Sequence, residues 1–274
     1  CIRDRDSPSP PYPPSESMNA PPLGGIFFNP APGQTPTGNG RGARATMFFL
    51  GWVATRRPDL VKRCHDAGHE IASHGWENEF LWDLEGPDGF HEHLALTEDA
   101  IEAAGVPRPV GFRASTFTLT RRTWWAFDVL AERGYLYDSS VHPVRHPTYG
   151  VPDFEPGIST VETERGSVIE FPVTTLPVGS KNVPIGGGGY FRLFPGPLHR
   201  AAISRVTRMG RPVAIYLHPW EFDPDQPRIP APAFKKFRHY VGLSRSLDRL
   251  DALISRWPFG TMREVLEGEG ALSL

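Results

Sequence analysis

The chain has 274 residues, of which 39% are hydrophobic and 11% aromatic, which is enough to bury a sizeable core and excludes a wholly disordered chain. Its 28 glycines follow no three-residue period, so a collagen-like chain is also excluded. The 29 basic and 31 acidic residues leave a formal charge of -2, so the chain as a whole has no electrostatic footprint for nucleic acid or an anionic membrane.

Residues 1–43 form a segment of low complexity that holds 10 of the 30 prolines and 6 of the 28 glycines. This composition buries too little apolar surface to offset chain entropy, so we expect the segment to be mostly disordered. The short apolar run Ile26–Phe28 is the part that we expect to dock on a folded domain. The sequence starts at Cys1 without a Met, so we expect a processed product or a fragment.

A folded domain is predicted to begin after this segment, where an apolar run of strand length covers residues 45–50. Pro58 suits the first turn of a helix whose apolar residues recur every three or four positions until Gly68. A strand that passes into a loop over residues 70–75 and a second helix over residues 90–104 follow. The pattern therefore alternates strand and helix from the start.

The alternation continues with a strand at residues 110–114, a helix at 120–133 and a strand at 135–138. Such repeated alternation is typical of an α/β fold with a parallel sheet. In α/β barrels the carboxyl ends of the strands carry the ligand and catalytic groups, so we expect the site there.

Residues 141–195 are rich in Pro and Gly, and we expect mostly loops there. The glycine run 186–189 lacks the Lys and Ser or Thr of a phosphate-binding loop, so we interpret it as a mobile loop. The remaining predicted elements are strands at 168–173 and 213–217 and helices at 196–209, 247–257 and 261–266.

Cysteine and apolar patterns limit the class of protein further. Cys1 and Cys64 are too few for a disulfide framework. No run approaches the roughly 18 apolar residues of a membrane span, and the start lacks the charged and then apolar layout of a secretory signal. The sequence predicts no membrane span and, by default, a cytoplasmic location.

Two histidines stand where predicted strands end. His74 closes the strand near residue 73, and His218 follows the strand at 213–217. A lone His at such a place is most often a polar loop residue, but two of them favour a functional site. Arg113 and Asp138 leave the neighbouring strands, where they either tune such groups or form a structural salt bridge.

Five motifs occur in a recognisable order: ATMFFLG (45–51), GHEIASHG (68–75), GFRAS (111–115), YDSS (137–140) and LHPW (217–220). Together they resemble the polysaccharide deacetylases of the NodB-homology class, carbohydrate esterase family 4. Residues 144–153, 184–193 and 220–228 are similar to the subgroup associated with exosortase and exopolysaccharide gene clusters.

The resemblance implies an irregular (β/α) barrel that hydrolyses N-acetyl groups on a sugar polymer, in exopolysaccharide biosynthesis or modification, with a divalent metal that is usually zinc. His74 matches a metal ligand of the family, and His218 matches the late general acid. Arg113 and Asp138 match the pair that orients and tunes the acid and the base. The expected substrate-binding residues are Leu217, Trp220 and Tyr190.

The metal half of the site departs from this family pattern. An apolar strand ending in two Asp is expected before residue 45, and residues 1–43 contain nothing like it. Asn78 stands where the family has a second metal-binding His, four residues after His74, and a neutral amide oxygen is a poor zinc ligand. Ser115 replaces a proline of the third motif. We expect a barrel that is incomplete at its first strand and a metal site that is degenerate or empty.

Two explanations of the departures stay open. The chain either lacks the natural start of an active deacetylase or is a non-catalytic carbohydrate-binding scaffold. Glu77 and Glu79 are carboxylates that would offer a substitute metal ligand. A glycoside hydrolase would instead pair Glu70 with Glu170, but that chemistry gives no role to the two histidines.

The predicted organisation is a segment at 1–43 and a deacetylase-like domain at 44–270. The expected partner is a polysaccharide with N-acetylated sugars, with no nucleic acid and no membrane span. Within the domain, the core is expected at 44–140 and 211–221, and subgroup-specific loops and helices at 141–210 and 222–270.

Overall fold

The computed structural model describes residues 26–28 and 42–272, so most of the predicted low-complexity segment lies outside the described residues. The strands are β1 (Ile26–Phe28), β2 (Thr46–Phe49), β3 (Glu70–Ser73), β4 (Gly111–Phe112), β5 (Tyr137–Asp138), β6 (Ser159–Thr163), β7 (Gly166–Glu170), β8 (Thr175–Val178), β9 (Lys181–Pro184), β10 (Val213–Ile215) and β11 (Phe259–Gly260). The helices are α1 (Gly51–Arg56), α2 (Pro58–Asp66), α3 (Gly86–Ala103), α4 (Ala126–Glu132), α5 (Gly188–Leu193), α6 (Gly196–Arg208), α7 (Ala233–Tyr240), α8 (Ser246–Ile254) and α9 (Met262–Gly268).

The main sheet has six strands in the order β2-β3-β4-β5-β7-β6. The first five run parallel, and β6 joins β7 as an antiparallel edge strand. Helices connect β2 to β3, β3 to β4 and β4 to β5, as parallel neighbours require a crossover. The predicted α/β fold with a parallel sheet is confirmed.

A second sheet places β1 between β10 and β11, antiparallel to both. The apolar run in the N-terminal segment thus docks as expected, with Ile26 opposite Ile215. An isolated parallel bridge joins Gly187 to Tyr216. No strand pair within the described residues joins the two sheets, so the barrel is not closed.

Each face of the main sheet is covered because apolar residues recur at helix or strand spacing. On one face, α2 buries Leu60, Val61 and Cys64. On the other face, the fully buried ring of Tyr137 crosses β4 at Gly111, where an added Cβ would lie 2.1 Å from the ring. Only glycine fits at that point of the sheet.

The structure differs from the prediction in the bounds or the type of several elements. The helix predicted at 90–104 begins at Gly86, because a proline in its first turn extends it. The helix predicted at 120–133 is a 3-10 turn, Arg121–Thr123, followed by α4. Residues 141–195, predicted as loops around one strand at 168–173, contain β7 at about that strand and also β6, the β8–β9 hairpin and α5. In the part of the chain that is described, no helix is long and apolar enough to cross a membrane.

Candidate functional site

Four predicted site residues converge where strands end. His74 follows β3, Arg113 follows β4, Asp138 ends β5, and His218 lies three residues beyond β10. His74 contacts the backbone of Arg113, and the charges of Arg113 and His218 both act on the His74 ring. The charge of Asp138 acts on Arg113 in turn. The fold therefore brings the four residues into one electrostatic environment.

The imidazole of His74 is held in one orientation. Its Nδ1 lies 2.6 Å from the carbonyl oxygen of Arg113. Because a carbonyl only accepts, the proton sits on Nδ1 and the lone pair is on Nε2. Burial lowers the pKa of His74 to about 4, so the ring is neutral at neutral pH. A neutral ring with one nitrogen tied to the backbone is suited to bind a metal or accept a hydrogen bond.

The two departures from the family pattern bond to each other. The hydroxyl of Ser115 lies 2.8 Å from Oδ1 of Asn78 and 2.9 Å from its backbone oxygen. Asn78 has a φ of 72°, a left-handed conformation that asparagine tolerates better than most residues. Its amide oxygen therefore links two loops.

The described residues do not fit a zinc site of three protein ligands. Among residues 42–272, no group of three or more His, Cys, Asp or Glu is arranged to hold a metal ion. The candidate substitute Glu79 accepts from the backbone N–H of Glu77 at 2.9 Å and lies 3.7 Å from Nδ1 of His93. Of the two residues at the expected metal-ligand positions, His74 presents a free imidazole nitrogen, while Asn78 offers an oxygen that already accepts from Ser115.

We expect Ser115→Ala to lower the free energy of unfolding by about 1 kcal/mol, because its hydroxyl donates to Asn78. Asn78→Ala should cost more, since alanine tolerates a positive φ less well. Both variants remove the same hydrogen bond, between the Ser115 hydroxyl and Oδ1 of Asn78. The double variant should therefore lose less stability than the sum of the two single variants. Urea denaturation of the four proteins measures this, and strict additivity would show that the bond is not stabilising.

The guanidinium of Arg113 is buried against β5 and aromatic rings. It donates to the carbonyl and to the hydroxyl of Ser139, at 2.8 and 2.7 Å. It also lies 4.3 Å from the centre of the Phe48 ring. Burial lowers the pKa of Arg113 to about 10, so the side chain remains charged at neutral pH. Arg113 thus places a fixed positive charge beneath the two histidines.

Asp138 lies side by side with Glu170, because the two residues are opposite each other in the β5–β7 register. Both are fully buried. Asp138 accepts from the backbone N–H and hydroxyl of Ser140, at 2.8 and 2.6 Å. Burial raises the pKa of Asp138, and burial together with the charge of Asp138 raises the pKa of Glu170 well above its usual range. The pair shapes the loop after β5 and is not exposed to a ligand.

The glycosidase alternative fails on the position of its carboxylates. Glu70 begins β3, where it accepts from the Thr46 hydroxyl at 2.5 Å and the backbone N–H of Arg263 at 3.2 Å. Glu170 ends β7. Because β3, β4, β5 and β7 run parallel, the two carboxylates lie at opposite ends of these strands and do not face one sugar bond.

His218 is half exposed beside a stacked aromatic wall. Its ring stacks on Trp220 with centroids 5.7 Å apart, and Trp220 stacks on His239 at 4.3 Å. Tyr190 is half buried in α5. Leu217, expected to line the substrate site, is 2% exposed and packs in the core, because it continues the inward alternation of β10.

Sequence reasoning missed the carboxylate that holds His218. Nδ1 of His218 lies 3.2 Å from Oε2 of Glu221, whose other oxygen accepts from Arg192 at 2.9 Å. The spacing of three residues between His218 and Glu221 was the available signal. The glycine run, predicted as a mobile loop, is instead closely packed: a Cβ on Gly188 would lie 2.1 Å from the Glu221 oxygens.

A further histidine that sequence reasoning missed is His142, which follows the loop after β5. It is 1% exposed and stacks on Tyr149 with centroids 5.5 Å apart. Neither ring nitrogen has a hydrogen-bond partner among the described residues. Burial lowers the pKa of His142 to about 3, so the ring is neutral.

Two family models match the chain. Residues 35–135 match the polysaccharide deacetylase family, and residues 139–267 match a domain of unknown function, DUF3473. His74 and Arg113 lie in the first match, whereas His218 lies in the second. The candidate site is therefore divided between the two matched regions.

Curated relatives match over a short segment. Chitin deacetylase 2 of Cryptococcus neoformans var. grubii serotype A is 40% identical over 60 residues, which cover 22% of this chain and 13% of that protein. Chitin deacetylase 2 of Cryptococcus neoformans var. neoformans serotype D is 38% identical over 60 residues, with the same coverage of 22% and 13%. The match thus spans a small part of these relatives.

Solved structures resemble the chain over most of its length. A Mycobacterium smegmatis protein described as a polysaccharide deacetylase aligns with a TM-score of 0.54 at 22% identity, covering 84% of this chain and 72% of that one. PuuE allantoinase aligns with a TM-score of 0.52 at 16% identity, covering 84% and 68%. At these identities the likeness concerns the fold. Residues 35–135 therefore match the polysaccharide deacetylase family, and the chain shares its fold with these solved structures.

Proposed function

We propose that this protein takes N-acetylated sugar polymers at the strand ends that carry His74 and His218, as a polysaccharide deacetylase-like protein. The observation that carries the proposal is the state of these two rings. Each is held at Nδ1, by the Arg113 carbonyl or by Glu221. Within the described residues, neither Nε2 makes a hydrogen bond, which leaves each one available to an acetamido group.

Binding without hydrolysis is the role that the described residues support best. Deacetylases of this family are generally metal-dependent. The residues present do not fit the metal, since Asn78 is bonded to Ser115 and no cluster of three ligands occurs among residues 42–272. We therefore propose a carbohydrate-binding role for this arrangement and derive no reaction step from it.

A second function, hydrolysis of N-acetyl groups, is favoured by one observation. His218 is half exposed and rests on an ionised carboxylate, as expected of a group that donates a proton to a leaving amine. Hydrolysis would need metal ligands from outside the described residues. We also propose that the deacetylase-like domain extends over residues 44–270.

The polymer is proposed to run along the wall of stacked rings that contains His218 and Trp220, with Tyr190 as a further binding residue. Aromatic faces stack on the apolar faces of sugar rings, and Trp220 is half buried beside the exposed His218. The stretches that resemble the exopolysaccharide-associated subgroup all lie in residues 139–267, the match of unknown function. We therefore propose a role in making or modifying an exopolysaccharide.

Calorimetric titration with N-acetylated chitin hexamer, combined with an acetate-release assay in zinc-containing buffer, tests the proposal. We expect binding without acetate release, weakened about fivefold by Trp220→Ala, since an aromatic contact contributes about 1 kcal/mol. Trp124→Ala is the matched control and should bind normally. It removes a Trp that lies just before α4 and packs on Phe127 within that helix.

Each outcome separates the two functions. Acetate release by the parent chain would establish the hydrolase and overturn the binding role. Absence of binding to the hexamer and to its deacetylated form would overturn both. Zinc analysis after dialysis should show less than one zinc per chain for the parent and for Asn78→His, because the described residues supply too few ligands.

A further inference from the structure

A buried ion pair lies directly beneath His218. Nε of Arg192, in α5, lies 2.9 Å from Oε1 of Glu221, and the two side chains are 2% and 1% exposed. The other Glu221 oxygen accepts from the backbone N–H of His218 at 2.8 Å and lies 3.2 Å from its Nδ1. The carboxylate therefore divides its oxygens between a fixed cation and the exposed imidazole.

Arg192 is itself fixed from the opposite side. Its Nη1 donates to the carbonyls of His239 and Val241, at 2.7 and 2.8 Å. These carbonyls end α7, so the guanidinium joins α5, α7 and the turn after His218. A group held by that many bonds has little freedom to release Glu221.

The glycine run provides the room for this arrangement. A Cβ on Gly188 would lie 2.1 Å from both carboxylate oxygens of Glu221, whereas one on Gly189 would meet nothing within 4 Å. Gly188 lies in α5 without a positive φ, so its backbone conformation does not require glycine. Glycine is needed there because a side chain would collide with the Glu221 carboxylate.

The carboxylate is ionised although it is buried. Burial alone raises the pKa of Glu221, but the hydrogen bond from His218 and the charges of His218 and Arg192 lower it below its usual value. An ionised carboxylate only accepts hydrogen bonds, so the contact with Nδ1 requires a proton on that nitrogen. Nε2 then carries the lone pair and makes no hydrogen bond within the described residues.

We propose that Glu221, held by Arg192 and admitted by Gly188, is the positioning residue that fixes the tautomer and orientation of His218, and that residues 139–267 contribute this device to the site. The use of His218 as a proton donor rests on the proposed function. The tautomer does not, because it follows from the Glu221 contact alone. The proposal thus gives a physical role to part of the matched domain of unknown function.

Nitrogen-15 NMR of the imidazole rings at a pH where they are neutral tests this directly. We expect the Nδ1–H form for His218 and for His74, which donates to the Arg113 carbonyl. His199 should show the Nε2–H form, since its Nε2 lies 2.9 Å from the Ile185 carbonyl, and it serves as an internal reference for the fold. Each ring therefore has its own expected signature.

Variants separate positioning from folding. Glu221→Gln should shift the His218 tautomer ratio towards Nε2–H about tenfold, because a charge-assisted hydrogen bond is replaced by a neutral one. Gly188→Ala should shift it in the same direction by displacing the carboxylate, and Gly189→Ala should leave it unchanged. The His199 signal should stay the same in all three.

An Nε2–H form of His218 in the parent chain would overturn the proposal without any variant. So would an unchanged His218 ratio in Glu221→Gln with His199 intact. If that variant does not fold, the contrast between Gly188→Ala and Gly189→Ala decides the question. Loss of hexamer binding with the expected tautomers would instead refute the proposed function and leave this inference standing.

Discussion

Arg192→Met is expected to lower the free energy of unfolding by about 3–5 kcal/mol at neutral pH, the range for breaking a buried ion pair from one side. The variant leaves the ionised Glu221 carboxylate without its cation in a site that is 1% exposed. It also removes the donors to the carbonyls of His239 and Val241. Thermal or denaturant unfolding followed by circular dichroism measures the loss.

The loss should depend on pH in a defined direction. In the parent chain the pKa of Glu221 is lowered, so its contribution is present above the ordinary carboxyl pKa and disappears as the pH falls through the folded value. Without Arg192, burial raises the pKa of Glu221 instead. When Glu221 takes up a proton, the variant no longer buries an unpaired charge and recovers part of its stability. The stability difference should therefore shrink towards acidic pH, and a constant difference would contradict the explanation.

Arg249→Met is a matched control for the lost backbone contacts. Arg249 donates to the carbonyls of Phe191, Arg192 and Phe194 at 2.5, 2.9 and 2.9 Å, in the same part of the fold. None of these contacts involves a carboxylate. We expect a smaller loss for this variant, with little dependence on pH in the acidic range.

Gly111→Ala is expected to lower the free energy of unfolding by about 3 kcal/mol, the upper part of the range for overpacked cores. The new methyl group would lie 2.1 Å from the ring carbon and 2.2 Å from the hydroxyl of Tyr137, which is fully buried. The ring has no space to withdraw, because β5 holds it in register with Gly111. Denaturant titration of the variant and parent measures the effect.

Second-site changes identify the cause of that loss. Tyr137→Phe should not rescue Gly111→Ala, because the ring carbon that clashes is retained. Tyr137→Leu removes the ring and should make the two changes less costly together than their sum. An equal loss in both double variants would show that the backbone of β4, and not the ring, is sensitive to the substitution.

Local pattern was sufficient for much of the fold. The helices at Pro58–Asp66 and Gly196–Arg208 lie within one residue of the predicted ends, because each combines proline in its first turn with an apolar stripe. Between residues 159 and 184, the strand predicted at 168–173 overlaps β7, but β6, β8 and β9 were missed, since their pairing depends on partner strands and their composition is that of loops. Whether so short a stretch forms a strand depends on the strands with which it pairs.

The candidate site divides in the same way. His74 and His218 were found because each follows an apolar strand, a feature visible in one stretch of chain. The Arg192–Glu221 pair spans 29 residues, and its importance lies in its burial, which no local pattern shows. Asn78 was recognised as a departure, but its bond to Ser115, 37 residues away, required the folded chain.

The adjacent carboxyl groups of Asp138 and Glu170 have a consequence for how folding exchanges protons with the solvent. Glu170 has its pKa raised well above the usual value in the folded chain, whereas in the unfolded chain it is ionised at neutral pH. At pH values between the ordinary and the raised pKa, folding therefore takes up a proton there, so this group favours the folded state less as the pH rises. The pKa of Glu221 is lowered on folding, so its contribution to stability grows as the pH rises through the acidic range. The two buried glutamates therefore change the stability of the chain with pH in opposite directions.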